Sequence, residues 1–220
     1  MNVQEATTRR LPDLKERHLP ENCRETINTI LKETYGYEQF RNLEIYDDLS
    51  KGKEKLCISQ GQLIENVILE AEKAWKGETQ VDNILLTAPT GSGKSLLFQL
   101  PAIYLGKEYN LLTIVVSPLK ALIVDQVESL QELGYTRVAY ASSDLSPEQK
   151  MEVYRQVREG EIDLFYLSPE LLLSYDIKHF VGERRIGLVV VDEAHTVTTW
   201  GKEFRVDYWF LGRYLNTLKQ

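Results

Sequence analysis

From residue 81 onward the chain alternates short apolar runs with longer stretches whose apolar positions recur at helical spacing. The runs at 83–86, 111–116, 137–140, 162–167 and 186–191 read as strands. The last, Ile-Gly-Leu-Val-Val-Val, is apolar throughout, as suits a parallel strand covered on both faces. Helices are predicted from Leu96 onward, over about 119–132, and from a Ser146-Pro-Glu-Gln capping-box pattern to about Arg158. A short helix is predicted from Pro169. This order predicts a mostly parallel sheet with helices on both faces. Two more helices are expected over about 24–34 and 60–76, whereas 1–22, with Pro12 and Pro20 among many charges, reads as irregular. The expected organisation is an irregular segment 1–22, an N-terminal helical segment 23–80 and an α/β domain 81–220. No internal repeat or low-complexity segment interrupts it.

Two loops in this pattern carry candidate chemistry. Between the run at 83–86 and the helix from Leu96 stands Thr90-Gly91-Ser92-Gly93-Lys94-Ser95. A glycine-rich turn opening a helix can wrap its backbone N–H groups around a polyphosphate, with the helix N-terminus aimed at the same charge. Lys94 would reach the β- and γ-phosphates and the Ser95 hydroxyl would hold Mg²⁺. Ala88 stands where the strict motif begins with Gly. The second loop is Asp192-Glu193-Ala-His195, directly after the strand-like run 186–191 and about 100 residues beyond the glycine turn. Acids at the carboxyl end of a strand face the crevice where open α/β sheets bind ligands. Asp192 would support the Mg²⁺, and Glu193 would orient and deprotonate an attacking water. Taken singly, each loop has a bland reading, a chance turn or a solvated strand cap. Together they read as two halves of an ATPase site.

Composition leaves that reading intact. The 220 residues are 43% hydrophobic and 27% charged, ordinary for a globular α/β domain with an extension. No apolar run approaches the ~20 residues of a membrane span. The N-terminus has no secretion-signal pattern, so a cytoplasmic location is expected. Cys23 and Cys57 have no CxxC or His partner nearby and read as free thiols. The net charge of −7 is spread evenly, with 12 basic against 15 acidic residues over 1–80 and 14 against 18 over 81–220. Neither part is a basic module, and nucleic-acid binding would have to rely on a local groove.

Further segments resemble a known family. The two loops look like motifs I and II of superfamily-two helicases. Tyr35-Gly-Tyr37-Glu-Gln-Phe-Arg41, Ser117-Pro118-Leu-Lys120, Tyr166-Leu-Ser168-Pro-Glu and Trp200-Gly-Lys-Glu-Phe204-Arg205 are similar to segments of its RecQ-like, DEAH-box group. The resemblance covers about 28–220. It implies a three-layer, RecA-like P-loop domain with a mostly parallel sheet and an N-terminal helical extension. It also implies ATP and Mg²⁺ as cofactors, with Lys94, Asp192, Glu193 and His195 as catalytic residues.

By the same resemblance, Tyr37 and Arg41 flank the adenine and a glutamine reads its edge. The family position for that glutamine holds Glu44, which lacks a donor, so Gln62 is favoured over Gln60 as the displaced equivalent, after an insertion of unassigned role. Ser117, Pro118, Lys120 and Ser168 are implied to touch a sugar-phosphate backbone. Trp200 and Phe204 are implied to stack on bases, with Arg205 coupling DNA binding to hydrolysis. Lys202 and Val206 depart from the family's usual histidine and proline. Packing of the aromatics on a last helix at about 207–218 is the competing reading of that loop. The expected function is the first motor domain of an ATP-dependent helicase on single-stranded or forked DNA, C-terminally incomplete and lacking a second RecA-like domain. The rival readings are a nucleic-acid-stimulated ATPase that remodels or signals without strand separation, and a non-enzymatic scaffold.

Overall fold

The computed structural model describes residues 20–46, 55–86 and 91–194. It begins with α1 (Glu25–Tyr35), ended by Gly36 at φ +69°, then an antiparallel pair, β1 (Asn42–Tyr46) and β2 (Lys55–Ser59), and α2 (Gln60–Trp75). The α/β part follows as α3 (Leu96–Tyr109), β3 (Leu112–Val116), α4 (Lys120–Glu132), β4 (Val138–Ala141), α5 (Pro147–Glu159), β5 (Leu164–Leu167), α6 (Pro169–Ser174), α7 (Ile177–Val181) and β6 (Ile186–Val191). The four strands β3 to β6 form one sheet, all pairs parallel, in the order β4-β5-β3-β6.

Strand alternation divides the core into two layers. Leu112, Ile114 and Val116 of β3 and Phe165 and Leu167 of β5 face α5, α6 and α7. Val115, Leu164 and Tyr166 face the other way, onto α3 and the helices around it. Three layers result, as the sequence predicts. Within the second layer α3 is buried at every residue from Leu96 to Gly106, because it is apolar all round rather than along one stripe. Arg24 straps that layer together. Its guanidinium bonds Glu65 (2.6 Å) and Glu72 (2.6 Å) of α2 and the Tyr104 hydroxyl of α3.

Several expectations hold and one fails. The capping box at Ser146 forms as predicted, the hydroxyl accepting from the Gln149 N–H (3.2 Å) and Gln149 Oε1 from the Ser146 N–H (2.8 Å). The run at 83–86 is not a strand in this structure. It lies outside regular structure, with Leu85 66% exposed. Among the described residues β6 has one sheet neighbour, β3, and the run is not paired with it. An apolar run of four residues carries too little periodicity to settle its own state. The hairpin β1–β2 occupies the insertion to which no role could be assigned, and α7 was not anticipated. The segment 1–19, and the helix expected at 207–218, lie outside the described residues.

At Gly106 the helix α3 comes close to the residue before β5, since a Cβ there would fall 2.3 Å from Asp163 Cγ. Asp163 cannot move aside: it is fully buried and held by Arg137 (2.6 Å), Arg184 (3.0 Å) and Tyr135 (3.0 Å). Glycine-to-alanine in a helix ordinarily stabilises by about 0.8–1 kcal/mol. Gly106→Ala is expected to do the opposite and cost about 1–3 kcal/mol through overpacking, measured by urea unfolding. A variant as stable as the parent would contradict this placement.

Candidate nucleotide site

The carboxyl ends of the central strands form one rim. Ser117 N–H donates to the Leu167 carbonyl (3.0 Å) and Asp192 N–H to the Val116 carbonyl (2.9 Å), so Ser117, Ser168 and Asp192 leave the sheet side by side. Glu193 follows with φ +50°, a left-handed conformation that a non-glycine residue adopts at a cost and that recurs at functional turns. Its N–H donates to Asp192 Oδ1 (2.9 Å). Burial pushes the Asp192 carboxyl above its usual range, helped by the neighbouring Glu193 charge. Hydrogen bonds from Glu193 N–H and Gln126, and the positive charge of Lys94, act against that rise. Asp192 is joined through Gln126 and Tyr166 to Gln99 in the first turn of α3, which brings the start of α3 and the end of β6 to one candidate site.

On the other side of that site, Gly91 and Gly93 turn the chain with φ +79° and +77°, where a side chain is strained. Lys94 and Ser95 lead straight into α3, and Ser95 caps it without a side-chain bond. Lys94 is half-buried and makes no hydrogen bond or ion pair among the described residues. The buried Ser92 hydroxyl likewise finds no partner there. A backbone turn with positive φ, an unpaired half-buried cation and an orphaned hydroxyl at a helix N-terminus suit a bound polyphosphate. The Ser95 hydroxyl and the Asp192 carboxylate provide oxygen donors of the kind a phosphate-bound Mg²⁺ takes, and the residues therefore fit that ion.

The two candidate glutamines take different partners. Gln62 completes a capping box with Ser59: its Oε1 accepts from the Ser59 N–H (3.0 Å) and its Nε2 donates to the Pro20 carbonyl (3.2 Å). Gln60, the other candidate, reaches the glycine turn. Its Nε2 donates to the Ser92 carbonyl (3.1 Å) and its Oε1 accepts from the Arg41 N–H (3.1 Å). The signal was present, because Ser59-x-x-Gln62 is itself a capping-box pattern that turns the third residue back on the cap. Gln62 still lines a cavity of about 310 Å³ with Glu21, Cys23, Asn28, Phe40 and Gly61, while Tyr37 and Arg41 stand exposed nearby in the chain.

The expected nucleic-acid contacts are placed unevenly. Ser117 is 1% exposed with its hydroxyl unpartnered among the described residues, and the Ser168 hydroxyl caps α6 by accepting from Leu171 N–H (3.3 Å). Neither hydroxyl is presented on the surface. Lys120 is exposed and bonds Ser143 and Asp144 (3.0 Å), with Pro118 half-buried before it. Thr90, His195, Trp200, Phe204 and Arg205 lie outside the described residues. Among the described residues no helix is long and apolar enough to cross a membrane.

The parallel sheet, the glycine turn and the acidic strand end define a P-loop nucleotide-binding domain. The chain belongs to the DEAD/DEAH box helicase family, whose model matches residues 62–219. It is similar to the ATP-dependent DNA helicase RecQ of Synechocystis sp., 34% identical over 191 residues, covering 86% of this chain and 33% of that protein. RecQ of Haemophilus influenzae is 30% identical over 187 residues (85% and 25%), and ATP-dependent DNA helicase Q-like 5 of Arabidopsis thaliana is 34% identical over 185 (84% and 17%). The chain thus spans a third or less of each relative. Among solved structures it is similar to the DUF1998 helicase MrfA bound to DNA and AMPPNP, at a TM-score of 0.49 and 22% identity over 82% of this chain and 22% of that one.

Gly93→Ala would force a Cβ at φ +77° to within 2.7 Å of Gln60 Nε2, and is expected to weaken nucleotide binding about tenfold or more, read by fluorescent-nucleotide titration. Undiminished affinity would contradict the cradle. Both cysteines are free, but burial, then the charge of Glu65, push the Cys23 thiol up to about 12, so less of it is thiolate at any given pH. At pH 8 a maleimide should label exposed Cys57 at least ~10-fold faster than Cys23, and mass spectrometry showing the reverse order would contradict that environment.

Proposed function

We propose that this chain is the ATP-binding first motor domain of a RecQ-like DNA helicase, which couples ATP hydrolysis to movement along single-stranded DNA and to duplex unwinding. The observation that carries the reading is the pairing of the first turn of α3, directly after Lys94 and Ser95, with Asp192 at the end of β6, joined by hydrogen bonds through Gln99, Tyr166 and Gln126. That pairing gives one chain both a phosphate cradle and an acidic strand end.

In this reading the turn Thr90–Ser95 cradles the phosphates and Lys94 neutralises the β- and γ-oxygens. Ser95 and Asp192 would hold Mg²⁺, which when bound offsets the charge that builds on the phosphates. Glu193, set aside from Asp192 by its left-handed turn, orients a water for in-line attack and accepts its proton. Tyr37, Arg41 and the cavity lined by Gln62 take the base, while Gln60 ties that segment to the loop. Trp200, Phe204 and Arg205 are assigned to the DNA strand, along with Lys120 and Pro118. In such motors a second RecA-like domain supplies an arginine across the ATP cleft, a contribution of roughly 10³–10⁵ in rate elsewhere. The chain's share of a third or less of its relatives' length is consistent with such a lobe lying in the longer protein.

Glu193→Gln is expected to lower hydrolysis in the full-length protein by about 10²-fold or more while nucleotide affinity stays within a few-fold. ATPase assays with and without single-stranded DNA, run beside equilibrium binding, read both. Unchanged hydrolysis, or brisk DNA-stimulated turnover by these 220 residues alone, would overturn the assignment. ATP turnover by the full-length protein without strand displacement would leave a remodelling ATPase in its place.

A further inference from the structure

A single line of hydrogen bonds, buried at its centre, runs from the end of α1 to the acidic rim. The Tyr35 hydroxyl donates to Gln99 Oε1 (3.0 Å), and Gln99 Nε2 donates to the Tyr166 hydroxyl (3.2 Å). Tyr166 donates to Gln126 Oε1 (2.9 Å), and Gln126 Nε2 donates to Asp192 Oδ2 (3.5 Å). Five elements are crossed in four bonds: α1, the phosphate-loop helix α3, the central strand β5, helix α4 and the end of β6. Gln99, Tyr166 and Gln126 are 5%, 0% and 8% exposed. At the far end, the Tyr35 ring stacks at 15° against the ring of Tyr37, 6.4 Å away between centroids.

The direction of the line is fixed by chemistry. An ionised carboxylate only accepts, so Gln126 must present its N–H₂ to Asp192 and its oxygen to Tyr166. Tyr166 then donates to Gln126 and accepts from Gln99, whose oxygen is left for Tyr35. Every donor points toward Asp192. Such a line polarises cooperatively, and in a dry interior no water is at hand to repair a break in it. A simple packing role would need only the ring of Tyr166 and the stems of the two glutamines. It does not require four polar groups in one sense ending on the metal-side acid.

We propose that Gln126, Tyr166, Gln99 and Tyr35 are positioning residues that fix the Asp192 carboxylate for Mg²⁺, and that through Tyr35 they make this alignment depend on whether the Tyr37 segment is engaged by the nucleotide base. The proposal rests on the nucleotide site described above. Groups that orient a metal ligand from behind typically change metal affinity 10- to 100-fold when removed. Tyr37 swinging from the Tyr35 ring onto a base would release one end of the line, giving the base a route to the metal side through α3 and β5.

The test uses the 220-residue chain and N-methylanthraniloyl-ATP, titrated with Mg²⁺ and followed by fluorescence, with inorganic triphosphate as a base-free competitor. Tyr166→Phe is expected to raise the Mg²⁺ half-point about tenfold while metal-free nucleotide affinity stays within about twofold. Tyr35→Phe, at the less buried end, should shift it in the same direction by less. Tyr154→Phe, a buried tyrosine in the opposite layer, should leave it unchanged. In the parent the Mg²⁺ half-point should be lower with the nucleotide than with triphosphate, and this difference should shrink in both relay variants. Unshifted half-points in folded Tyr35→Phe and Tyr166→Phe would overturn the relay alone. Equal parental half-points for nucleotide and triphosphate would overturn its dependence on the base. A parent that binds no nucleotide would remove the site itself and the relay with it.

Discussion

The central constraint is a helix with no polar face. Because α3 is apolar around its whole circumference, it can exist only between the sheet and the layer made by α1 and α2. Each fully buried leucine or isoleucine along it contributes about 1.5–3 kcal/mol. That burial leaves the helix one position, and its first turn delivers Gly93, Lys94 and Ser95 to the carboxyl rim of the strands. The glycine turn is therefore placed by core packing, with the Gln60 bond to the Ser92 carbonyl added to it.

Polar groups then divide by the end of the sheet they serve. At the amino ends of the strands, Asp163 is closed off by Arg137, Arg184 and Tyr135, an ion cluster that joins the starts of β4, β5 and β6. Breaking such a buried pair from one side costs on the order of 3–5 kcal/mol. At the carboxyl end of β6, Asp192 accepts from the Glu193 N–H and from Gln126. The same side-chain type thus serves as a bolt at one end and as a candidate ligand at the other.

The periodic elements were legible because their signals are local. The Ser146 cap, the β-branched run 186–191 and the glycine turn before Leu96 each carry their cause within a few residues. What escaped depends on distant partners. The run at 83–86 looked like a buried strand because it precedes the glycine turn, yet a strand needs a neighbour that four residues cannot reveal. Gln60 and Gln62 differ by two positions on one helix end. Which of them meets the phosphate loop is decided by the Ser59 cap and by Arg41 across the β1–β2 hairpin. The resemblance implies that Ser117 and Ser168 touch a sugar-phosphate backbone; strand register buries the first and a helix start engages the second. The line from Tyr35 to Asp192 joins residues far apart in sequence, and no spacing rule exposes it.

Whether the glycine turn and the acidic strand end share one metal–nucleotide site can be measured with Mn²⁺ in place of Mg²⁺. With Mn²⁺ and ATP bound to the ¹⁵N-labelled chain, the amide signals of Gly93, Ser95, Asp192 and Glu193 should broaden together, and a Lys94→Ala chain should show none of it. Broadening confined to the loop, with Asp192 and Glu193 unaffected, would contradict a common site.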